Sequence, residues 1–245
     1  MFRRQKNMKI HLTNNQKKIR TRLLEVLYKY NSSHIGSCLS SIDIIDAVYS
    51  VKKPDEKFIL SNGHAAVALY IILEKNNYLN NPDLNKLGVH PDRNPKIGID
   101  ASTGSLGQGL PIALGMALSN NNKTVYCLIS DGECAEGSIW ESLRIIHDLN
   151  VINLKIIVSV NGWGGYDPIS SISLMNRFKG FGFKIVKING HSTAEITKKL
   201  SLKTSRPTII FAKTSSDQFS FLKGLDSHYC TMKESDYSLA INTLK

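Results

Sequence analysis

Five short apolar runs alternate with helical patterns along this chain, and that alternation restricts the fold more than any other property of the sequence. Val and Ile are frequent in the runs, and four of the five are nearly continuous instead of alternating with polar residues. Buried strands of a parallel sheet show this pattern because helices cover both of their faces. The predicted strands are Lys57–Leu60, Thr124–Ser130, Leu154–Val160, Phe183–Ile188 and Thr208–Lys213. The helical patterns lie at about residues 41–50, 63–75, 106–119, 136–149, 171–180 and 193–201.

Strands that alternate with helices over the whole chain predict the α/β class, with one doubly wound parallel sheet. The 245 residues, of which 42% are hydrophobic, are enough for one sizeable core. Thr13 is a suitable N-cap for a first amphipathic helix. The apolar residues of that helix are Ile19, Leu23, Val26, Leu27 and Tyr30. We therefore expect a basic N-terminal extension at residues 1–12 and a single domain at residues 13–245.

The net charge of +11 raises the question of a nucleic-acid partner, but the basic residues are unevenly distributed. Residues 1–22 hold eight of the Lys and Arg and no acid, so residues 23–245 carry only +3. A solvated face is the simplest interpretation, and the alternatives are a nucleic-acid contact arm or a transit peptide. The absence of a known nucleic-acid-binding motif favours no nucleic-acid partner. The residues of a contact arm would be Arg3, Arg4, Lys6 and Lys9.

The sequence also bears on the cellular compartment. No apolar stretch approaches 18 residues and no secretion signal is present, so we predict no membrane-spanning helix and a cytoplasmic location. The cysteines lack CxxC spacing, which indicates reduced thiols instead of disulfides or a zinc site. These cysteines are Cys38, Cys127, Cys134 and Cys230.

Polar residues follow the predicted strands at their carboxyl ends, where α/β sheets bind ligands. Asp131-Gly132 comes directly after the second strand, and Asn161 comes directly after the third. One βαβ crossover brings both to the same edge of the sheet. Mg²⁺ prefers oxygen ligands, which Asp131, Asn161 and the carbonyl of Trp163 are able to supply. The pattern favours a metal beside a bound diphosphate, whereas two ordinary turns are the simpler alternative.

Two further features occupy predicted loops. The segment Thr103–Gly109 carries three glycines ahead of a helical pattern, a spacing that allows backbone N–H groups to face an anion. A tight turn that packs a helix onto the sheet is the alternative. Four histidines in loops are suited to acid–base work or alkoxide stabilisation, because imidazole titrates near neutral pH. They are His34, His64, His90 and His228, whereas His11, His147 and His191 remain unassigned.

Residues 131–141, of sequence DGECAEGSIWE, resemble the diphosphate-binding motif of transketolases. Four other segments resemble blocks of the same family and occur in the same order along the chain. The similarity spans roughly residues 15–230. The four segments are 33–37, 60–65, 88–91 and 103–109.

This resemblance implies a transferase that moves a two-carbon ketol unit from a ketose to an aldose acceptor. The implied cofactors are thiamine diphosphate and Mg²⁺, or Ca²⁺ in its place. The implied metal ligands are Asp131, Asn161 and the carbonyl of Trp163. The residues implied to line the cofactor are His64, Gly104, Leu106, Gly132, Glu136 and Asn161. Those implied to act on the substrate are His34, His90 and His228.

The family resemblance also implies partners. The chain resembles the N-terminal subunit of a split transketolase, so the pyrimidine domain would belong to a separate C-terminal subunit. Self-association through the helices near 106–119 and 136–149 would then give an α₂β₂ complex. Glu136 and Glu141 would lie in the acidic network between paired active sites. If the family resemblance is set aside, Glu141 is interpreted as an ordinary acid on a helix surface.

Several positions depart from the family pattern. Ser130 stands where glycine is usual, and Ser159 stands where aspartate is common. Residues 164–167 lack the usual glutamine-containing turn, and residues 215–218 replace a Lys-Gly-Lys-Gly loop that lies near the cofactor in relatives. The changed loop suggests, as an alternative, acyl or ketol transfer onto a modified sugar. A non-catalytic regulatory subunit is a second alternative.

Overall fold

The computed structural model describes residues 10–164 and 167–245. The described strands are β1 (Lys57–Leu60), β2 (Val125–Ser130), β3 (Leu154–Val160), β4 (Lys184–Asn189) and β5 (Thr208–Lys213). They form one parallel sheet in the order β1-β2-β3-β5-β4. The described helices are α1 (Asn14–Lys29), α2 (Ile35–Val51), α3 (Ala66–Lys75), α4 (Leu84–Leu87), α5 (Gly109–Ser119), α6 (Gly137–Asp148), α7 (Ser171–Gly180), α8 (Thr193–Leu200) and α9 (Glu234–Leu244). The predicted α/β class and parallel sheet are confirmed.

Helices cover both faces of the sheet, so the fold is doubly wound. Successive side chains of a strand point to opposite faces, and Ile156 and Ile157 of β3 accordingly belong to two different cores. One core packs the strands against α1, α2, α3, α8 and α9, and the other packs them against α5, α6 and α7. Burial on both faces explains why the strands are nearly continuous apolar runs in the sequence.

The register of the strands brings their carboxyl ends to one edge of the sheet. Leu60 at the end of β1 pairs with Leu128 of β2, and Ser130 at the end of β2 pairs with Ser159 of β3. The residues that follow β1, β2, β3 and β5 therefore gather at this edge, as expected for an α/β ligand site.

Helix α1 confirms the predicted start of the first helix. The Thr13 hydroxyl accepts a hydrogen bond from the backbone N–H of Gln16 at 3.3 Å, and the Gln16 side-chain oxygen accepts from the backbone N–H of Thr13 at 3.0 Å. This reciprocal capping box satisfies two donors that a helix start otherwise leaves unpaired. Leu23 and Leu27 are fully buried on the apolar face of α1.

Three helices differ from the predicted patterns. Helix α2 begins at Ile35, well before the predicted residue 41, and the short α4 and α9 were not predicted at all. Gly36 and the serines at the start of α2 are poor helix formers, so the local pattern is weak. Ile35 and Leu39 are nonetheless fully buried, and this packing outweighs the low helix propensity. In α9, Ala240 and Leu244 are buried among many polar neighbours, which gives an equally weak pattern.

Some sequence predictions concern residues that the structure does not describe. Arg3, Arg4, Lys6 and Lys9 lie outside the described residues, and so do Gly165 and Tyr166 of the changed 164–167 loop. The division into an extension at 1–12 and a domain at 13–245 stays a prediction. Within 10–164 and 167–245, no helix is long and apolar enough to span a bilayer. In the same part of the chain, the cysteines form no disulfide.

Candidate functional site

A cavity of about 230 Å³ opens at the edge of the sheet where the strands end. The predicted site residues line it, with one exception: Glu136 is not among the lining residues. The lining residues that the sequence singled out are His34, His64, His90, Gly104, Leu106, Asp131, Gly132, Asn161, Trp163 and His228. The structure therefore brings residues from distant parts of the chain to one place, whereas the role of each stays a prediction.

Asp131, directly after β2, is a deeply buried carboxylic acid of the cavity wall, with 1% exposure. Its Oδ2 accepts a hydrogen bond from the backbone N–H of Gly162 at 2.7 Å, whereas its buried Oδ1 has no partner among the described residues. Burial raises the pKa of this carboxyl to about 7, although the backbone N–H of Gly162 opposes the shift. A buried carboxylate oxygen without a donor is costly unless a ligand or a cation completes it.

The turn after β3 lies beside Asp131. The Asn161 side-chain oxygen accepts from the backbone N–H of Trp163 at 2.9 Å, and this Asx turn fixes the backbone of the turn. A Cβ built on Gly132 would lie 3.8 Å from the carbonyl oxygen of Trp163 and 3.5 Å from Gly164, so the two turns pack against each other. Oxygens of a carboxylate, a side-chain amide and a backbone carbonyl are thus close together, and they are the donor set that Mg²⁺ or Ca²⁺ prefers. In the described part of the chain, no group of three or more His, Cys, Asp or Glu is placed to hold a metal.

The glycine segment 103–109 packs tightly on the end of β1. Gly104 has a φ of 145°, and a Cβ there would come within 2.8 Å of the His90 ring, so glycine lets His90 approach the cavity. The N–H of Gly107 donates to the Glu133 carboxylate at 3.0 Å, so this N–H is satisfied by an acid of the chain itself. That other N–H groups of the segment face a bound anion stays a prediction.

Glu133 holds three cavity-lining segments together, a role that the sequence analysis missed. Its carboxylate accepts from the Ser61 hydroxyl at 2.6 Å after β1, from Gly107 N–H, and from Ser130 N–H at 3.0 Å. Burial raises its pKa, while the hydrogen bonds from Ser61 and the backbone lower it. The sequence held one signal, an acid two residues after Asp131, but the partners of Glu133 are visible only in the fold.

Glu136 and Glu141 lie away from the cavity. The 3₁₀ turn Gly132–Ala135 separates Asp131 from Glu136, which is exposed at the start of α6. The sequence prediction that Glu136 lines the cavity is therefore not met in this single chain. Glu141 is exposed and pairs with Arg144 at 2.6 Å, as an ordinary helix-surface acid would.

The four predicted histidines form one cluster. The ring centroid of His34 lies 4.7 Å from that of His228, 5.4 Å from that of His64 and 6.4 Å from that of His90. Burial and the neighbouring imidazoles lower the pKa of His34 to about 4 and that of His64 to about 3. Burial lowers the pKa of His228 as well. These three rings are therefore neutral at pH 7, and each can both donate and accept a hydrogen bond.

A known protein family matches most of the chain. Residues 13–242 match the transketolase, thiamine diphosphate binding domain, family. The chain belongs to the transketolase family. Membership confirms the resemblance seen in the sequence and supports thiamine diphosphate as the ligand of this domain.

Two relatives of this chain are named as subunits. The 6-deoxy-6-sulfo-D-fructose transketolase subunit SqwG of Clostridium sp. (strain MSTE9) is 30% identical over 93% of this chain and 94% of its own length. An apulose-4-phosphate transketolase subunit of Phocaeicola vulgatus is 29% identical over 85% of this chain and 84% of its own length. The transketolase of Homo sapiens is 33% identical over 75% of this chain but only 33% of its own length. The chain thus spans about a third of the full-length transketolases it matches.

Solved structures confirm the transketolase fold. A transketolase from Campylobacter jejuni matches 97% of this chain with a TM-score of 0.74 and 25% identity, over 43% of its own length. A transketolase mutant from Pichia stipitis matches 93% of this chain with a TM-score of 0.80 and 21% identity, over 40% of its own length.

Proposed function

We propose that this chain is the cofactor-binding subunit of a transketolase-type transferase, which binds thiamine diphosphate through a divalent cation and acts with a separate partner. The single observation that carries the proposal is the buried, unpartnered Oδ1 of Asp131 beside Asn161 and the carbonyl of Trp163. It lies within a domain of the family that binds this cofactor.

The cation would take Asp131, Asn161 and the carbonyl of Trp163 as its protein ligands. A Mg²⁺ or Ca²⁺ ion would place a positive charge beside the Asp131 carboxylate and so would favour the ionised form of Asp131. Gly132 has no side chain, so a diphosphate would be able to approach its backbone closely. Gly104, Leu106 and His64 line the remainder of the cavity.

The histidine cluster suits the handling of a sugar. Bound thiamine diphosphate supplies the reactive carbon that carries a two-carbon ketol unit from a ketose to an aldose acceptor. His34, His90 and His228 would donate hydrogen bonds to the carbonyl oxygen of the sugar and accept them from its hydroxyl groups. Because the rings of His34 and His228 lie 4.7 Å apart, one sugar oxygen is able to contact both.

The same comparisons support a separate partner subunit. Relatives of similar length are named as transketolase subunits, whereas the human enzyme is more than twice as long. The second chain would carry the pyrimidine domain, and two copies of each would form an α₂β₂ complex. Tyr229, which is 64% exposed at the cavity, lies where a partner would cover the opening.

The sugar substrate has two candidate classes. An ordinary ketose is the first, and a modified ketose is the second. The second is supported by the relatives named for apulose-4-phosphate and for 6-deoxy-6-sulfo-D-fructose, and by the changed loop 215–218. A regulatory subunit without chemistry is the remaining alternative, and the intact set of metal and histidine positions weighs against it.

Calorimetry with thiamine diphosphate and Mg²⁺, in the presence of the partner, tests the proposed site. We expect saturable binding by the wild type and none by Asp131→Ala, because the only carboxylate among the proposed ligands is removed. Asp148→Ala is the matched control, since Asp148 is an exposed acid on α6 outside the cavity. Wild-type affinity in Asp131→Ala would show that the site is wrongly assigned.

A further inference from the structure

A second group of buried polar side chains joins α1, α2 and the loops after β4 and β5. Asp43 of α2 accepts hydrogen bonds from the Arg20 guanidinium at 2.9 and 2.5 Å, and from Nδ1 of His191 at 2.7 Å. Arg20 is 1% exposed, Asp43 2% and His191 4%. These residues do not line the cavity, so the proposed chemistry leaves them without a role.

The hydrogen bonds among these buried side chains determine where their protons lie. Burial alone would raise the pKa of Asp43, but hydrogen bonds from Arg20 and His191 outweigh it and lower the pKa to about 2. Asp43 is thus an ionised acceptor, and it keeps the proton of His191 on Nδ1. The Nε2 of His191 is then free to accept, and it does so from the backbone N–H of Ser215 at 3.0 Å.

The loop after β5 is held at both ends by the same group. Gln218 accepts from the Nε of Arg20 at 3.0 Å and donates to the carbonyl of Leu39 at 3.0 Å. Between these anchors, Ser216 lines the cavity. A Cβ at Gly36 would lie 2.9 Å from the Cβ of Ser216, so this loop rests directly against the start of α2, next to His34.

We propose that Asp43 and His191 are positioning residues, which fix the loop 214–218 as one wall of the thiamine diphosphate cavity. The inference rests on the proposed function. Both side chains are too deeply buried to touch a ligand, so they act through the Ser215 amide and through Ser216. A loosened loop would widen the cavity beside His34 and weaken cofactor binding, although every proposed cofactor ligand would remain.

Two substitutions of one residue separate the positioning role from general stability. In His191→Asn, the amide can still reach Asp43, but it has no acceptor near the Ser215 N–H. In His191→Gln, the longer side chain brings an amide oxygen near the position of Nε2 and so retains that acceptor. We expect faster hydrogen exchange at residues 215–218 of the full chain in His191→Asn than in His191→Gln. With the partner present, the Kd for thiamine diphosphate with Mg²⁺ should rise about tenfold in His191→Asn and stay near wild type in His191→Gln.

Ile196→Ala is the control for stability alone, because Ile196 of α8 is fully buried in the adjoining core. It should lower the melting temperature without changing this Kd. Unchanged exchange in His191→Asn would overturn the positioning role, and faster exchange with an unchanged Kd would overturn its link to the cofactor. Absence of thiamine diphosphate binding by the wild type would instead refute the proposed function. The exchange measurement needs no ligand, and it would still show whether His191 holds the loop.

Discussion

Among single side chains, burial shifts the pKa of the carboxyl group in the cavity and the pKa of the imidazoles in opposite directions. It raises the pKa of Asp131 to about 7 and lowers that of His64 to about 3. Both shifts favour the neutral form, since charge is poorly solvated in the cavity. A bound cation would reverse this preference for the neutral form at Asp131 and would leave it in place at the imidazoles. The cavity is thus suited to a bound cation beside uncharged imidazoles.

The lowered histidine pKa values predict a pH-dependent stability. An unfolded histidine titrates near its ordinary pKa of about 6.5, whereas folded His64 titrates near 3. Between these values the unfolded chain binds more protons at His64, so the contribution of His64 to the free energy of unfolding rises with pH and levels off above about 7. Asp131, whose pKa is raised, contributes in the opposite sense. His64 contributes a slope of up to about 1.4 kcal/mol per pH unit within this window.

Urea unfolding of the full chain at several pH values between 5 and 7 measures this slope. His64→Asn does not titrate in that range and so lacks this contribution. We expect its free energy of unfolding to increase less with pH than that of the wild type. His11→Asn changes an exposed histidine outside the cavity and is the control. Equal slopes in His64→Asn and wild type would contradict the prediction.

The site residues could be predicted only in part. Asp131 and Asn161 stand directly after apolar runs, so their place at the sheet edge follows from the strand pattern. The cavity positions of the four loop histidines followed from family resemblance, because nothing local brings His34 and His228 together. Glu133, Asp43 and His191 were missed, since each acts through partners that are distant in sequence.

Among elements, three segments that line the cavity are joined by one carboxylate. Glu133 connects the end of β1, the glycine segment 103–109 and the end of β2. In Glu133→Gln, an NH₂ group replaces one carboxylate oxygen. This NH₂ group is a hydrogen-bond donor, and it would face another donor, either the Ser130 N–H or the Gly107 N–H. We expect the free energy of unfolding to fall by about 1–3 kcal/mol, because a buried donor loses its acceptor.

Chemical denaturation of Glu133→Gln against the wild type checks this value. Glu136→Gln makes the same chemical change at an exposed position and should leave stability within about 0.5 kcal/mol of wild type. If the two variants were equally stable, the proposed junction would be wrong.

The strands were easier to predict than the helices. Burial on both faces makes β2, β3 and β5 continuous apolar runs, which the sequence displays directly. The start of α2 depends on the packing of Ile35 and Leu39 and not on local propensity, and the buried residues of α9 are few and lie among polar ones. Tertiary contacts decide these helices, so their residues alone give a weak signal.

For the whole molecule, the proposed function predicts dependence on a second chain. We expect no ketol transfer by the purified chain, and turnover when the partner with the pyrimidine domain is added. The physical reason is that the cavity opens outward beside exposed Tyr229, and its described walls all come from one domain. Turnover assays of the chain, the partner and their mixture measure this dependence.

The same assays, run with a panel of sugars, compare the two substrate classes. Ordinary ketose phosphates, sulfonated or branched ketoses and 2-oxo acids form the panel. Ketol transfer by this chain alone would contradict the two-subunit prediction, and exclusive decarboxylation of 2-oxo acids would contradict both ketose proposals.

The strand order has a consequence for how the chain matures during synthesis. Among the described strands, β4 pairs only with β5, which lies between β3 and β4 in the sheet but is made after both. A chain that leaves the ribosome from its N-terminus therefore exposes the open edge of β3 while β4 is already available. Direct pairing of β3 with β4 would be a non-native arrangement. It is replaced once residues 208–213 have been made and β5 takes its place between the two strands. The loop 214–218 and His228 emerge later still, so the binding cavity is completed only after these residues have been made.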